Sequence, residues 1–526
     1  MKKWTIYRSD LANDAFDAII IGSGMGGLTT AALLALNGKR VLVLEKHFKI
    51  GGWTHTFRRD NYEWDVGLHY IGEVHNNWSA ARKLFDLISD SQLQWSRMDD
   101  NYDRIIFPDQ SYNFVAPREQ FVEDMISYFP NDEKAIQPYL NYLDEAVRSA
   151  RPYFANKALP GILANITYPF MTGKFFKFAD RTTYDVISSL SDNPELIGVL
   201  TGQWGDHGLP PKMSSFAMHA SVARHYLDGG NYPVGSSRRI AETVSDVIEK
   251  NGGHLAVNAD VQKIVVHQGK AVGVELENGD VLKAPVIISN TGVINTFNRL
   301  LQNGSFEKSP LADLDSIEQT ESYVCLHIGL NKSAKELNLT NTNLWIYPGY
   351  DHDRNVREFI NDAEKDFPVV YVSFPSAKDD AWDEDHAGYA TIEAITLARW
   401  DWYTKWQDLP WKKRGEEYEN EKEILSQRIL DVVYTHVPQA KDALAYVELS
   451  TPLTVNSLAN YQRGEMYGIS HTSERFHQKW LRPRTKIKNL YLTGQDVTTV
   501  GVTSALFSGL LTASAVLRKN LSSMLK

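Results

Sequence analysis

The sequence predicts an α/β protein whose centre is a Rossmann-like dinucleotide-binding domain, discontinuous along the chain, carrying an inserted α+β domain. Three observations predict it. A short apolar, β-branched run at 17–22 feeds a glycine turn and then a helix-like stretch. A second helix-and-strand block lies at 235–290, and a third at 489–517. Long intervals without such a pattern separate the three.

The first block reads Asp17-Ala-Ile-Ile-Ile-Gly22, then Gly22-Ser-Gly24-Met25-Gly26-Gly27, then Leu28 to Leu36, with Asn37-Gly38 as a stop. A second apolar run, Arg40 to Leu44, ends at Glu45. Strand, glycine turn, helix, strand and acid in this order are the context in which a G-x-G-x-x-G match carries weight. Gly22 permits the tight turn, Gly24 admits a pyrophosphate close to the backbone, and Gly27 lets the helix pack on the strand. The helix N-terminus then faces phosphate, and Glu45 accepts the hydroxyls of a ribose.

Composition narrows the class. The chain has 526 residues, 43% hydrophobic and 23% charged, with a net charge of −10. That describes an ordinary globular protein with a sizeable core and a poor holder of polyanions, so nucleic acid is not an expected partner. The single cysteine, Cys325, closes no intrachain disulfide and builds no zinc site alone. No secretory signal is visible in the first residues, and a cytoplasmic location is expected. The uncharged stretch 497–517 has the length of a membrane span, but its threonines, serines and glycines point to a buried helix.

After Glu45 the chain continues Lys46-His-Phe-Lys-Ile-Gly51-Gly52-Trp53-Thr54, then Trp64-Asp65-Val-Gly67-Leu-His69-Tyr70-Ile-Gly72. Near the other end stands Asn489-Leu-Tyr-Leu-Thr-Gly494-Gln-Asp496. Together these resemble the FAD signatures of the flavin amine oxidase superfamily, in particular its phytoene desaturase, carotenoid isomerase and retinol saturase branch. The turn Arg463-Gly464-Glu-Met-Tyr467-Gly468 is similar to a turn of the saturase and isomerase members.

The resemblance implies FAD as cofactor. It implies contacts from Met25, Gly26, Lys46, Gly51, Gly52, Trp53 and Thr54, backbone of Val261 at the adenine, Asp496 at the ribityl chain, and Gly501, Val502 and Thr503 at a helix N-terminus. It implies two candidate catalytic groups. His69 would donate a proton or steer a polar head group, with a backbone-bonded structural histidine as the alternative. Tyr467 would be a proton donor close to the flavin. No metal is expected, because His69, Glu73 and His75 do not share a helical face.

The implied enzyme is an FAD-dependent oxidoreductase acting on the C–C or C=C bonds of a polyene, prenyl or acyl lipid, by saturation, desaturation or isomerisation. An external electron donor or acceptor is left open. Amine oxidation and non-catalytic lipid carriage, as in Rab GDP-dissociation inhibitors, are the other readings.

The expected domain order is FAD-binding at 16–75, 235–300 and 480–520, with the substrate domain at 76–234 and 301–479. Within it, the apolar and aromatic run from Ala158 to Phe178 suggests either a monotopic membrane dip or lid, or a buried helix pair interrupted by Pro160 and Pro169. Trp400, Trp402, Trp406 and Trp411 suggest a packed aromatic cluster with Trp402 and Trp406 on one helix face.

Overall fold

The computed structural model describes residues 4–301 and 318–525; residues 302–317 of the second substrate interval lie outside them. Six parallel strands form the cofactor sheet, in the order Thr5–Ile6, His254–Val257, Val41–Leu44, Ala18–Ile21, Ile287–Ser289, Leu490–Leu492. The expected boundary at residue 16 therefore shifts, because the edge strand Thr5–Ile6 belongs to this sheet.

Both faces of a parallel sheet must be covered, and side-chain alternation shows how this one is. Ile20, Val43 and Ile288 point to one face, where helices Met25–Leu36, Arg238–Lys250 and Val502–Leu517 pack. Ile19, Leu42 and Ile287 point to the other, against an antiparallel three-stranded sheet of Val261–His267, Lys270–Leu276 and Val281–Lys283. Helix Met25–Leu36 is apolar on nearly all sides and is buried accordingly.

The stretch 497–517 is resolved as a helix over Val502–Leu517 held against Met25–Leu36. A Cβ at Gly509 would fall 2.5 Å from Thr29 Cβ, so only glycine permits this approach. Among the described residues no helix is long and apolar enough to cross a membrane.

The substrate domain is a second sheet of seven strands, built from both inserted intervals. Asn343–Ile346 pairs parallel with Asn101–Ile106, and every other pairing is antiparallel. Helices Glu133–Ala158 and Gly161–Ala179 lie beside it, with Pro160 capping the second and Pro169 inside it. The expected buried helix pair does not form: Pro169 lies inside one helix, Gly161–Ala179, whose Ile162, Ile166 and Phe170 are exposed. Trp400–Trp406 is a 3-10 stretch rather than an α-helix, with Trp406 buried and Trp402 edge-on to Phe359, so the expected shared helix face does not form.

Candidate functional site

Strand Ala18–Ile21 ends at Gly22, whose φ of 92° turns the chain toward the helix. The turn is fastened by the acid of the next strand. Glu45 Oε2 accepts hydrogen bonds from Ser23 N at 2.8 Å and Ser23 Oγ at 2.6 Å, and Glu45 Oε1 accepts from His47 N at 2.8 Å. Gly51 N donates to Ser23 Oγ at 3.0 Å, which brings the Gly51-Gly52 pair onto the same turn. Glycine at 27 answers to packing. A Cβ there would meet the Gly22 carbonyl oxygen at 2.3 Å.

The C-terminal block closes on this turn. Asp496 Oδ2 accepts from Val293 N at 2.9 Å and Oδ1 from Ile469 N at 3.2 Å, which places its carboxylate in the cavity wall. Arg475, fully buried, donates to the carbonyls of Ile469, Gln495, Asp496 and Thr498 and so holds the loop between strand and helix. At the helix N-terminus Thr503 Oγ1 is buried without a hydrogen-bond partner in the protein.

One continuous cavity of about 1010 Å³ runs along these elements. Apart from Gly27, every residue assigned above to the cofactor lines it, as do His69 and Tyr467. Gly27, grouped with the cofactor glycines, has the packing role that the sequence reading gives it. Glycine turn, ribose acid, glycine pair and orphaned threonine at a helix N-terminus are the donor set that an adenine dinucleotide needs, so the residues present fit FAD. Lys46 is half-buried and hydrogen-bonded to Asn460 Oδ1 and Ser457 O, and burial lowers its pKa.

Beyond the cofactor blocks the cavity enters the substrate domain and is walled by Tyr226, Tyr323, Trp345, Tyr371 and Tyr446. His69 has a side-chain partner, not the backbone partner weighed above. Its Nδ1 lies 2.8 Å from Glu393 Oε2, and its ring packs on Tyr371 at 5.4 Å. Burial pushes His69 down to about 4 and Glu393 up to about 8. The pair is therefore neutral, with one proton in the bond between them.

Behind it, Lys378 Nζ donates to His69 O at 3.0 Å and Ser373 Oγ at 2.6 Å, and burial lowers it to about 7. Asp65 accepts from Tyr232 Oη and is raised to about 7, again by burial first. Tyr467 Oη donates to Gly205 O at 2.9 Å, and burial raises its pKa. That bond commits its proton to the backbone. His75 bonds Asn231, away from His69.

Sequence reasoning missed Glu393 and Lys378. The signal for Glu393 was present: a lone acid in the otherwise uncharged run Ala390–Ala398 demands a buried partner. Nothing local marks Lys378. No residue of the segment 158–178 lines the cavity.

A doubly covered parallel sheet with a dinucleotide turn, opening into a second domain through one shared cavity, defines a two-domain dinucleotide-dependent oxidoreductase. The model of the family "Flavin containing amine oxidoreductase" matches residues 25–517, and the chain belongs to that family; its cofactor is FAD. An all-trans-retinol 13,14-reductase from Danio rerio is 35% identical over 96% of this chain and 86% of its own length. A chloroplastic prolycopene isomerase from an Oncidium hybrid is 25% identical over 84% of this chain and 73% of its own. An oxidoreductase from Methanosarcina mazei shares the fold, with a TM-score of 0.63 at 16% identity, over 95% of this chain and all of the other.

Proposed function

We propose that the protein reduces a carbon–carbon double bond of a polyene lipid, with a retinoid alcohol as the first class to test. The observation that carries this reading is the single aromatic-walled cavity shared by the dinucleotide turn and the substrate sheet. An apolar polyene entering it reaches the cofactor's own compartment without crossing water. The reductase that resembles this chain over nearly its whole length supports the substrate class.

FAD bound there supplies the hydride chemistry. The chain's own residues hold and shield. Glu45 accepts from the ribose, Asp496 stands at the wall beside Gly468, and the tyrosines and Trp345 exclude water from an apolar chain. With Nδ1 committed to Glu393, His69 has only Nε2 left to meet a ligand, so the neutral pair orients a polar head group without presenting a net charge.

Peripheral contact with a lipid bilayer, on its cytoplasmic side, belongs to the same proposal. Ile162, Ile166 and Phe170 are exposed on one stripe of helix Gly161–Ala179 and support it.

The test is anaerobic photoreduction of the flavin followed by addition of all-trans-retinol. Return of the oxidised flavin band with a dihydro product supports the reading. A flavin that stays reduced with retinoid alcohols and carotenoids alike sinks it. The second reading, cis–trans isomerisation, is favoured by the isomerase relative; it is distinguished by isomer conversion without net reoxidation.

A further inference from the structure

A further group of buried carboxyls, Asp103 and Asp206, lies at the cavity beside the His69–Glu393 pair, and Lys378 links the two groups. Tyr70 Oη sits 3.0 Å from Asp103 Oδ2 and 3.2 Å from Asp206 Oδ2. Asp103 is fully buried, and its other partners are all donors: Gln203 Nε2 at 2.7 Å and Asn343 Nδ2 at 2.8 Å. Burial raises the Asp103 carboxyl, and the donors around it work against that by favouring its anion, so of the two acids Asp103 is the one whose hydrogen bonds select the charged form.

The proton count then settles Asp206. Tyr70 has one proton, and the anion Asp103 takes it. The contact between Tyr70 oxygen and Asp206 is a hydrogen bond only when Asp206 brings a proton of its own. The chain therefore runs from Asp206 through Tyr70 to Asp103, with a neutral carboxylic acid at the cavity end. Burial, then the charge of Asp103, raises Asp206 well above the ordinary carboxylate range, in the same direction.

Asp206 lines the cavity, whereas Asp103 does not. Lys378 is the cation that faces the two acids, and the hydroxyls of Tyr226, Tyr323, Tyr371 and Tyr467 surround them. One of these points to a ligand independently. Tyr323 is 5% exposed, lines the same cavity, and its hydroxyl has no hydrogen-bond partner within the protein.

We propose that Asp206 is the acid that delivers the proton in polyene reduction. The inference rests on the reductase reading above. One carbon of the double bond takes a hydride from the reduced flavin and its neighbour takes the Asp206 proton. The π bond is lost, two C–H bonds form, the flavin is oxidised, and the Asp206 carboxylate regains its proton from water once the product leaves.

The experiment uses the FAD-loaded protein and two variants, Asp206→Asn and Tyr70→Phe, with all-trans-retinol as probe. In the infrared difference spectrum against the wild type without retinol, one neutral carboxyl C=O component is expected to be lost in Asp206→Asn and shifted in Tyr70→Phe, while the component of Glu393 stays in both. After anaerobic photoreduction, retinol-driven reoxidation is expected to slow by about 100-fold or more in Asp206→Asn, while retinol still binds. Tyr70→Phe keeps the acid and loses only its bridge, so a fall of about 10-fold is expected. An unchanged infrared band, or reoxidation at the wild-type rate in Asp206→Asn, overturns the proposal and leaves the reductase reading standing. A wild-type protein that retinol cannot reoxidise overturns both.

Discussion

Glu393 stands in the middle of a strand with no exposed residue, and its Oε2 lies 2.8 Å from Nδ1 of His69. The two groups lie 324 residues apart in the chain and share one proton at the cavity wall. Removing either partner leaves the other buried and unsatisfied, which costs about 1–3 kcal/mol for a neutral group and more for a charged one.

This pair makes stability depend on pH. The folded pKa of Glu393 is raised from 4.5 to about 8, so the folded state binds more protons than the unfolded state between those values. Its stabilising contribution is complete below 4.5 and is lost as pH rises toward about 8. His69, lowered from 6.5 to about 4, opposes this below 6.5. Glu393→Gln removes the acid's titration. The fall in melting temperature from pH 6.5 to 8 is expected to be smaller in Glu393→Gln than in the wild type. Parallel melting curves would refute the assignment.

Cofactor affinity is expected to follow the glycine turn. Gly27→Ala drives a methyl group to 2.3 Å from the Gly22 carbonyl oxygen, so backbone must move. Overpacking of this kind costs about 1–3 kcal/mol, and FAD binding, followed by flavin fluorescence, is expected to weaken by about 10-fold or more. Glu45→Gln keeps the shape and loses the charge; a charge-assisted bond is worth about 1.5–3 kcal/mol, so a similar loss is expected there.

Arg475 offers a stability test separate from the cavity. It donates to four backbone carbonyls from one buried guanidinium. Arg475→Met strands these acceptors, and a loss of roughly 3 kcal/mol or more is expected in chemical denaturation. Arg475→Lys retains the charge but not the planar fork, and should recover only part of it.

The exposed stripe on helix Gly161–Ala179 is tested by Ile166→Glu with Phe170→Glu. Co-sedimentation with phosphatidylcholine vesicles is expected to fall, while denaturation changes by no more than about 0.5 kcal/mol. Equal vesicle binding by the variant would remove the bilayer contact from the proposal.

The cofactor half of the site was legible in the sequence because its chemistry is local. Gly22 to Gly27, Glu45 and Asp496 act through backbone turns and strand ends, which short runs of residues encode. The substrate half was not. Glu393 meets His69, and Tyr70 joins Asp103 to Asp206, only after segments far apart in the sequence are brought together by the fold. Composition says less at 158–178. An apolar run says that a helix has an apolar face, but not which part of the molecule that face adjoins, and this one lies away from the cavity.

The order of strands in the cofactor sheet has a consequence for how the protein is made. The glycine turn, a single βαβ-sized unit, is synthesised well before its floor, Gly494, and the helix beginning at Val502. The growing chain therefore holds an unfinished FAD site while both inserted intervals are made. Cofactor capture follows the closing of that site, and bound FAD then stabilises the folded chain by mass action.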